Sequence, residues 1–356
     1  MSKAPKLKTT SKAMSKPVTM AEVAELSGVS AATVSRIINN DEGVRSDTRN
    51  RVLDAIKKLN YRPNLNARGL ASDRSFLVGL FIENPGSYAS DIQGGINQKC
   101  LELGLHLMVE SLSGDDPQVA RKVGKILSQL RLEAAVLLPP HCDNKKIIDL
   151  FVEEEIPFIQ VSPLKPHPNA ASIHVDDYSA ARQMTRFLIE SGHRRIAFMA
   201  GKSGHRAADE RYAGFVAEMA ASGIAISPEL VVCGNFTFDG GLEAARVMLR
   251  QKPRPTAIFT CGDDMAVAAL SVAQECGIKL PDDLSVTGFD DSPIARMVWP
   301  RLTTVHQPVR ELGIAAMDLI AKFNPHRQGW PNPSPDITLD FKLVLRDSTV
   351  KIKAKR

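Results

Sequence analysis

The chain has 356 residues, 44% of them hydrophobic, so it is too long for one ordinary domain and apolar enough to bury large cores. No apolar run approaches the ~18 residues that span a bilayer, and the five cysteines (Cys100, Cys142, Cys233, Cys261, Cys276) show no CxxC spacing, which argues against a zinc site or a disulfide scaffold. The net charge of +5 is unevenly placed: residues 1–74 hold 14 Lys/Arg against 7 Asp/Glu, while the rest is slightly acidic, favouring a polyanion partner for the N-terminal part alone.

Residues 1–17 are polar and lysine-rich, without the hydrophobic region of a signal peptide, and read as a disordered basic arm. The expected location is therefore the cytoplasm. Thr19 followed by Glu22 has capping-box spacing and starts a helix whose apolar face is Val23, Ala24 and Leu26; Ser27-Gly28 ends it. Ser30 then caps a second helix, Ala31–Asn39, with Val34, Ile37 and Ile38 inward. So short a link makes the pair a helix-turn-helix, whose second helix enters the DNA major groove. Ser46 caps a third helix with Val52, Ala55, Ile56 and Leu59 as its stripe.

The run VTMAEVAELSGVSAATVSRIIN, then SDTRNRVLDAIKKLNYRPNLNARGL, resembles the DNA-binding head and hinge of the lactose-repressor/galactose-repressor (LacI/GalR) family of bacterial transcription regulators. The resemblance implies a DNA-binding domain over residues 18–62 and a hinge over 63–74. It places Ala31, Ala32 and Arg36 at the base edges, where Arg36 suits a bidentate contact to guanine. Ser30, Thr33, Ser35 and Asn39 fall at phosphates, which position the helix without specifying sequence. Thr19, Tyr61, Asn64, Ala67 and Arg68 are the remaining DNA-facing positions, and Leu70 stands where a leucine from each subunit wedges into the minor groove. Two heads imply a homodimer on a pseudo-palindromic operator.

From Phe76 onward short apolar runs alternate with amphipathic stretches. Strands are expected at Phe76–Ile82, His106–Val109, Ala134–Leu138, Phe158–Val161, Arg195–Met199, Leu230–Cys233, Ala257–Thr260 and Ser285–Gly288. Helices are expected at Asp91–Leu103, Gln118–Leu130, Ser179–Ser191, Asp209–Ser222, Gly241–Arg250 and Asp263–Cys276. Alternating βα units imply parallel, doubly wound sheets. Similarity to the family core implies two lobes like a periplasmic sugar-binding protein, over residues 75–350. Lobe 1 takes about 75–176 and 306–337, and lobe 2 about 177–305 and 338–350. Ligands in such sheets bind beyond the carboxyl ends of the strands.

On those loops the resemblance implies effector contacts from Tyr88, Asp176, His205, Arg211, Phe236, Asp263, Asp290 and Trp299. Arginine and aspartate bind hydroxyls by charge-assisted hydrogen bonds, and an aromatic face covers the apolar side of a pyranose. Gly262 stands where sugar-binding members often carry Asn. Gly201-Lys202-Ser203 looks like the end of a phosphate-binding loop, but the glycine that pattern needs five residues earlier is Ile196. No metal set, cofactor motif or nucleophile–base pairing stands out, so the expectation is a non-enzymatic, effector-controlled repressor, with a sugar as inducer. The alternatives are a regulator with a corepressor such as a purine, or a carbohydrate transport protein.

Overall fold

The computed structural model describes residues 18–38, 43–61 and 75–352. The chain divides into two compact units, residues 1–75 and 76–356.

In the first unit, α1 (Met20–Ser27) opens on the capping box: the Glu22 N–H donates to Thr19 Oγ1 at 3.4 Å, and the Thr19 N–H to Glu22 Oε2 at 2.6 Å. Gly28, at φ 65°, turns the chain in the left-handed region that an L side chain resists. Helices α2 (Ala31–Ile38) and α3 (Ser46–Leu59) follow. Val23, Ala24, Val34, Ile37, Val52, Ala55 and Tyr61 form the core of this unit. Three local expectations are corrected. Leu26 is 52% exposed, and Ser27, a full turn beyond Val23, takes the inward place instead, its hydroxyl donating to the Val23 carbonyl at 2.6 Å. Ser46 is the first helical residue of α3 and does not cap it; Arg45 precedes it without a side-chain cap bond. Ile56 and Leu59 flank the core only partly buried.

The second unit is α/β. In chain order its elements are β1 (Leu77–Ile82), α4 (Ser87–Leu103), β2 (His106–Ser111), α5 (Val119–Gln129), β3 (Ala134–Leu137), α6 (Lys145–Glu153), β4 (Phe158–Val161), β5 (Ala171–Val175), α7 (Asp177–Glu190), β6 (Ile196–Ala200), α8 (Arg206–Ala221), β7 (Val231–Cys233), α9 (Phe238–Arg250), β8 (Ala257–Thr260), α10 (Asp263–Glu275), β9 (Ser285–Thr287), α11 (Ile294–Met297), β10 (Thr304–His306), α12 (Val309–Phe323), α13 (Pro325–Gln328), β11 (Asp336–Leu339) and β12 (Lys342–Val344). One parallel sheet runs β11-β5-β4-β3-β1-β2, a second β7-β6-β8-β9, and β10 pairs antiparallel with β12. The doubly wound reading is thereby met. Along β1 the residues alternate between faces: Val78, Leu80 and Ile82 enter one core and Phe81 the other. The chain leaves the first sheet after β5, returns through α12 and β11, and passes back in β12.

Two helices meet unusually closely. A Cβ on Gly95 of α4 would stand 2.1 Å from the Arg310 carbonyl oxygen, and one on Gly313 of α12 would stand 2.3 Å from that of Ile92. Neither position has room for a methyl group.

Candidate functional site

On the surface of α2, Ala31, Ala32 and Arg36 are exposed and Ser35 is half-buried. Ser30 and Thr33 are tied to each other: the Thr33 N–H donates to Ser30 Oγ at 3.2 Å, and the two hydroxyls lie 3.0 Å apart. Their first task is capping the helix. Thr19 is similarly engaged with Glu22, and Tyr61, 7% exposed, packs in the core of its unit. Asn39, Asn64, Ala67, Arg68 and Leu70 lie outside the described residues.

In the second unit a cavity of about 200 Å³ opens between loops at the carboxyl ends of both parallel sheets. That is far above the ~10–15 Å³ that admits one water, and it suits a small organic molecule. Tyr88, His205, Arg211, Phe236 and Asp290 all line it, five of the eight positions singled out from sequence.

Arg211, on α8, is 3% exposed. Its Nε donates to Asp177 Oδ1 at 2.8 Å, its Nη1 donates to the Cys261 carbonyl, and its guanidinium lies 3.6 Å over the Phe289 ring. Arg211 therefore ties three segments together as well as lining the cavity. Asp290, at φ 119°, accepts from Gln307 Nε2 at 2.6 Å. Burial pushes its carboxyl well above the usual range, opposed by Arg211 and reinforced by Asp263. Tyr88 sits in the first turn of α4; burial and Asp177 raise its hydroxyl, which hydrogen-bonds Ser162.

Phe236 and Asn235 are consecutive left-handed residues, at φ 58° and 56°, which sharply bend the loop after β7. The bend lays the Phe236 ring on Gly201, where a Cβ would come within 2.1 Å of it. Gly201 is thus required by the ring and has no phosphate to cradle. The ring of His205 lies 6.0 Å from that of Phe236. Its Nε2 is buried without a hydrogen-bond partner among the described residues, and burial lowers its pKa below the usual imidazole value.

Three sequence-based positions fall elsewhere. Asp176 caps α7, its carboxylate accepting from the Ser179 N–H at 2.9 Å; its neighbour Asp177 is the residue that meets Arg211. Asp263 is 1% exposed and ties two segments together, accepting from the Ser292 N–H at 2.7 Å and from Thr304 Oγ1 at 2.7 Å. Burial pushes it up to about 7 against those bonds. Trp299 is 74% exposed and does not line the cavity. Conversely Asn84, Ser162, Lys202, Asn235, Asp264 and Ser292 line it and were not singled out. Asn235 and Asp264 sit beside the site residues Phe236 and Asp263, whereas Ser162, beyond β4, carries no sequence signal. Lys202 bridges the two sides of the cleft, its Nζ 2.9 Å from Asp115 Oδ1 and 3.8 Å from Glu83 Oε1.

Residues 19–64 match the family described as bacterial regulatory proteins, lacI family, and residues 185–349 match a periplasmic binding protein-like domain. The HTH-type transcriptional repressor PurR of Haemophilus influenzae (strain PittEE) is 30% identical over 337 residues, covering 94% of this chain and 99% of that one. The chain belongs to the LacI family. The ribose operon repressor of Escherichia coli (strain K12) is 33% identical over 307 residues, 85% of this chain and 92% of its own. Among solved structures, the lac repressor dimer bound to operator and the anti-inducer ONPF superposes with a TM-score of 0.80 at 28% identity, covering 94% of this chain and 100% of that one. A CelR–cellobiose complex gives 0.71 at 30% identity, covering 93% and 99%. As a LacI-family member the chain is a DNA-binding repressor under the control of a small-molecule effector. Among the described residues no helix is long and apolar enough to cross a membrane.

Proposed function

We propose that this LacI-family repressor reads its operator, as a homodimer, through the exposed face of α2, and that a sugar-class effector in the cavity releases it. The observation that supports the sugar class is an aromatic ring, Phe236, in a lining that also carries the polar groups of Arg211, Asp290, Asn84 and Asn235. Hydroxyl edges and an apolar face are what such a lining binds. Two of the relatives named above, a ribose operon repressor and a regulator in complex with cellobiose, are in keeping with this class. Arg36 is the base-reading side chain, flanked by Ala31 and Ala32, which offer only apolar contact to a thymine methyl.

The test is a gel shift on an operator selected by the full chain from random duplex. Arg36→Ala is expected to lose about 1–3 kcal/mol on that operator and little on random DNA. Equal losses on both would make Arg36 a phosphate contact. Adding sugars to the wild-type complex is expected to release DNA, with a coupling of about 1–3 kcal/mol that is reciprocal. Tighter DNA binding with ligand would instead make the ligand a corepressor.

A further inference from the structure

The charged groups around the cavity are not balanced. Both cations that line it are already neutralised within the protein: Arg211 by Asp177 at 2.8 Å, and Lys202 by Asp115 at 2.9 Å. Three carboxylates line it as well: Glu83, Asp264 and Asp290. Glu83 receives the Gly114 N–H at 3.0 Å and stands 3.8 Å from Lys202; Asp290 receives Gln307. Asp264 is different. It is half-buried on the cavity wall and makes no hydrogen bond or ion pair among the described residues. Its place in the first turn of α10 suits a negative charge, but a side chain turned to solvent would serve the helix equally. Asp264 also lies near enough to Asp290 to raise the latter's carboxyl.

Beside Asp290 the wall carries no side chain at Gly262. A Cβ on Gly262 would fit in ordinary contact, its nearest neighbours being Asp290 Oδ2 at 3.6 Å, Met265 Cε at 3.8 Å and Phe236 Cδ1 at 3.8 Å. Gly262 has an extended backbone, at φ −172°, which any residue adopts, so its missing side chain leaves space without relieving strain. The space borders a carboxylate and an aromatic ring, the two surroundings that favour an organic ammonium. A metal ion is a poor fit, because no group of three or more His, Cys, Asp or Glu among the described residues is placed to hold one. An anionic ligand would bring like charge toward Glu83 and Asp264, with both lining cations already paired within the protein.

We propose that the cavity selects a polyhydroxylated effector bearing a protonated amine, such as an amino sugar, with Asp264 as the counter-ion of the ammonium and Asp290 beside it. This rests on the reading of the cavity as the effector site. The experiment is calorimetric titration of the full chain with matched probes: glucosamine, galactosamine and mannosamine, their neutral parent hexoses, their N-acetyl forms, and the hexose 6-phosphates. At least one amine is expected to bind at least tenfold tighter than its parent and its N-acetyl form, and the 6-phosphates least of all. Asp264→Asn is expected to lose about tenfold in amine affinity and to bring the amine to within about threefold of its parent hexose. A neutral hexose or 6-phosphate that binds as tightly as the amine overturns the inference while leaving the effector site standing. So does an Asp264→Asn chain that binds the amine as well as the wild type. No binding in any class overturns both.

Discussion

Removing Arg211 should cost the protein stability as well as ligand affinity. Arg211 and Asp177 are 3% and 1% exposed, so Arg211→Met leaves a carboxylate buried without its partner. Breaking a buried pair from one side costs about 3–5 kcal/mol, whereas replacing both partners by neutral groups of similar size is often close to neutral. For a unit of this size about 2 °C of melting temperature is lost per kcal/mol, so the single variant should melt about 6–10 °C lower. The double variant Arg211→Met/Asp177→Asn should recover most of that, although the bond to the Cys261 carbonyl stays lost. The assay is denaturant unfolding of wild type, both single variants and the double, read as a cycle. If the double variant loses as much as the two singles together, the ion pair does not couple the residues and the reasoning fails. A defect in effector release by an Arg211 variant then has to be separated from partial unfolding, a complication invisible while Arg211 is read as a ligand contact alone.

Gly201→Ala should displace the Phe236 ring, because its Cβ would lie within 2.1 Å of that ring; effector affinity should fall about tenfold or more in titration while the far-ultraviolet spectrum is unchanged. An unaltered affinity would remove Phe236 from the binding surface. Trp299→Ser should leave effector affinity within a factor of two, since the indole is exposed away from the cavity. For Asp290 the sign follows from its raised carboxyl: an acid harder to ionise folded than unfolded withdraws stability as pH climbs from its unfolded value near 3.9 through its folded one. Asp290→Asn keeps an oxygen for Gln307 and escapes that loss, so its stability relative to wild type should improve from pH 4 to pH 8. A relative decline over that range would mean that the ionised carboxylate is favoured by the fold.

The helical unit was largely legible because capping chemistry and a 3.6-residue stripe operate within a few residues of each other, as at Thr19, Glu22 and Val23. In the α/β unit the buried strands could be read as apolar runs, but helix starts were set too late. Helices α4, α7, α8 and α9 begin two to four residues before the expected starts, and the first turns of α4 and α7 hold Tyr88 and Asp177, which break the apolar pattern there. Strands β5, β11 and β12 are short and mixed in polarity, and their pairing is decided by distant partners: β11 joins the sheet beside β5, some 160 residues earlier. Within the site, a one-residue slip separates Asp176, a cap, from Asp177, the partner of Arg211; neighbouring aspartates at a helix start cannot be told apart by pattern. Lys202 went unread because its role depends on Glu83 and Asp115 across the cleft.

The glycine contact between α4 and α12 has a mechanical consequence. The first turn of α4 carries Tyr88 to the cavity, and α12 starts two residues after Gln307, which holds Asp290. With backbone pressed on backbone at Gly95 and Gly313, the two helices can neither slide nor part independently without opening a void. They form one stiff unit that reaches the cavity lining directly through Tyr88 and indirectly through the bond of Gln307 to Asp290. Any displacement of α4 therefore has to be shared by α12. A methyl group at position 95 or 313 would be a shim driven into that unit, changing the travel that ligand binding can produce without touching the ligand.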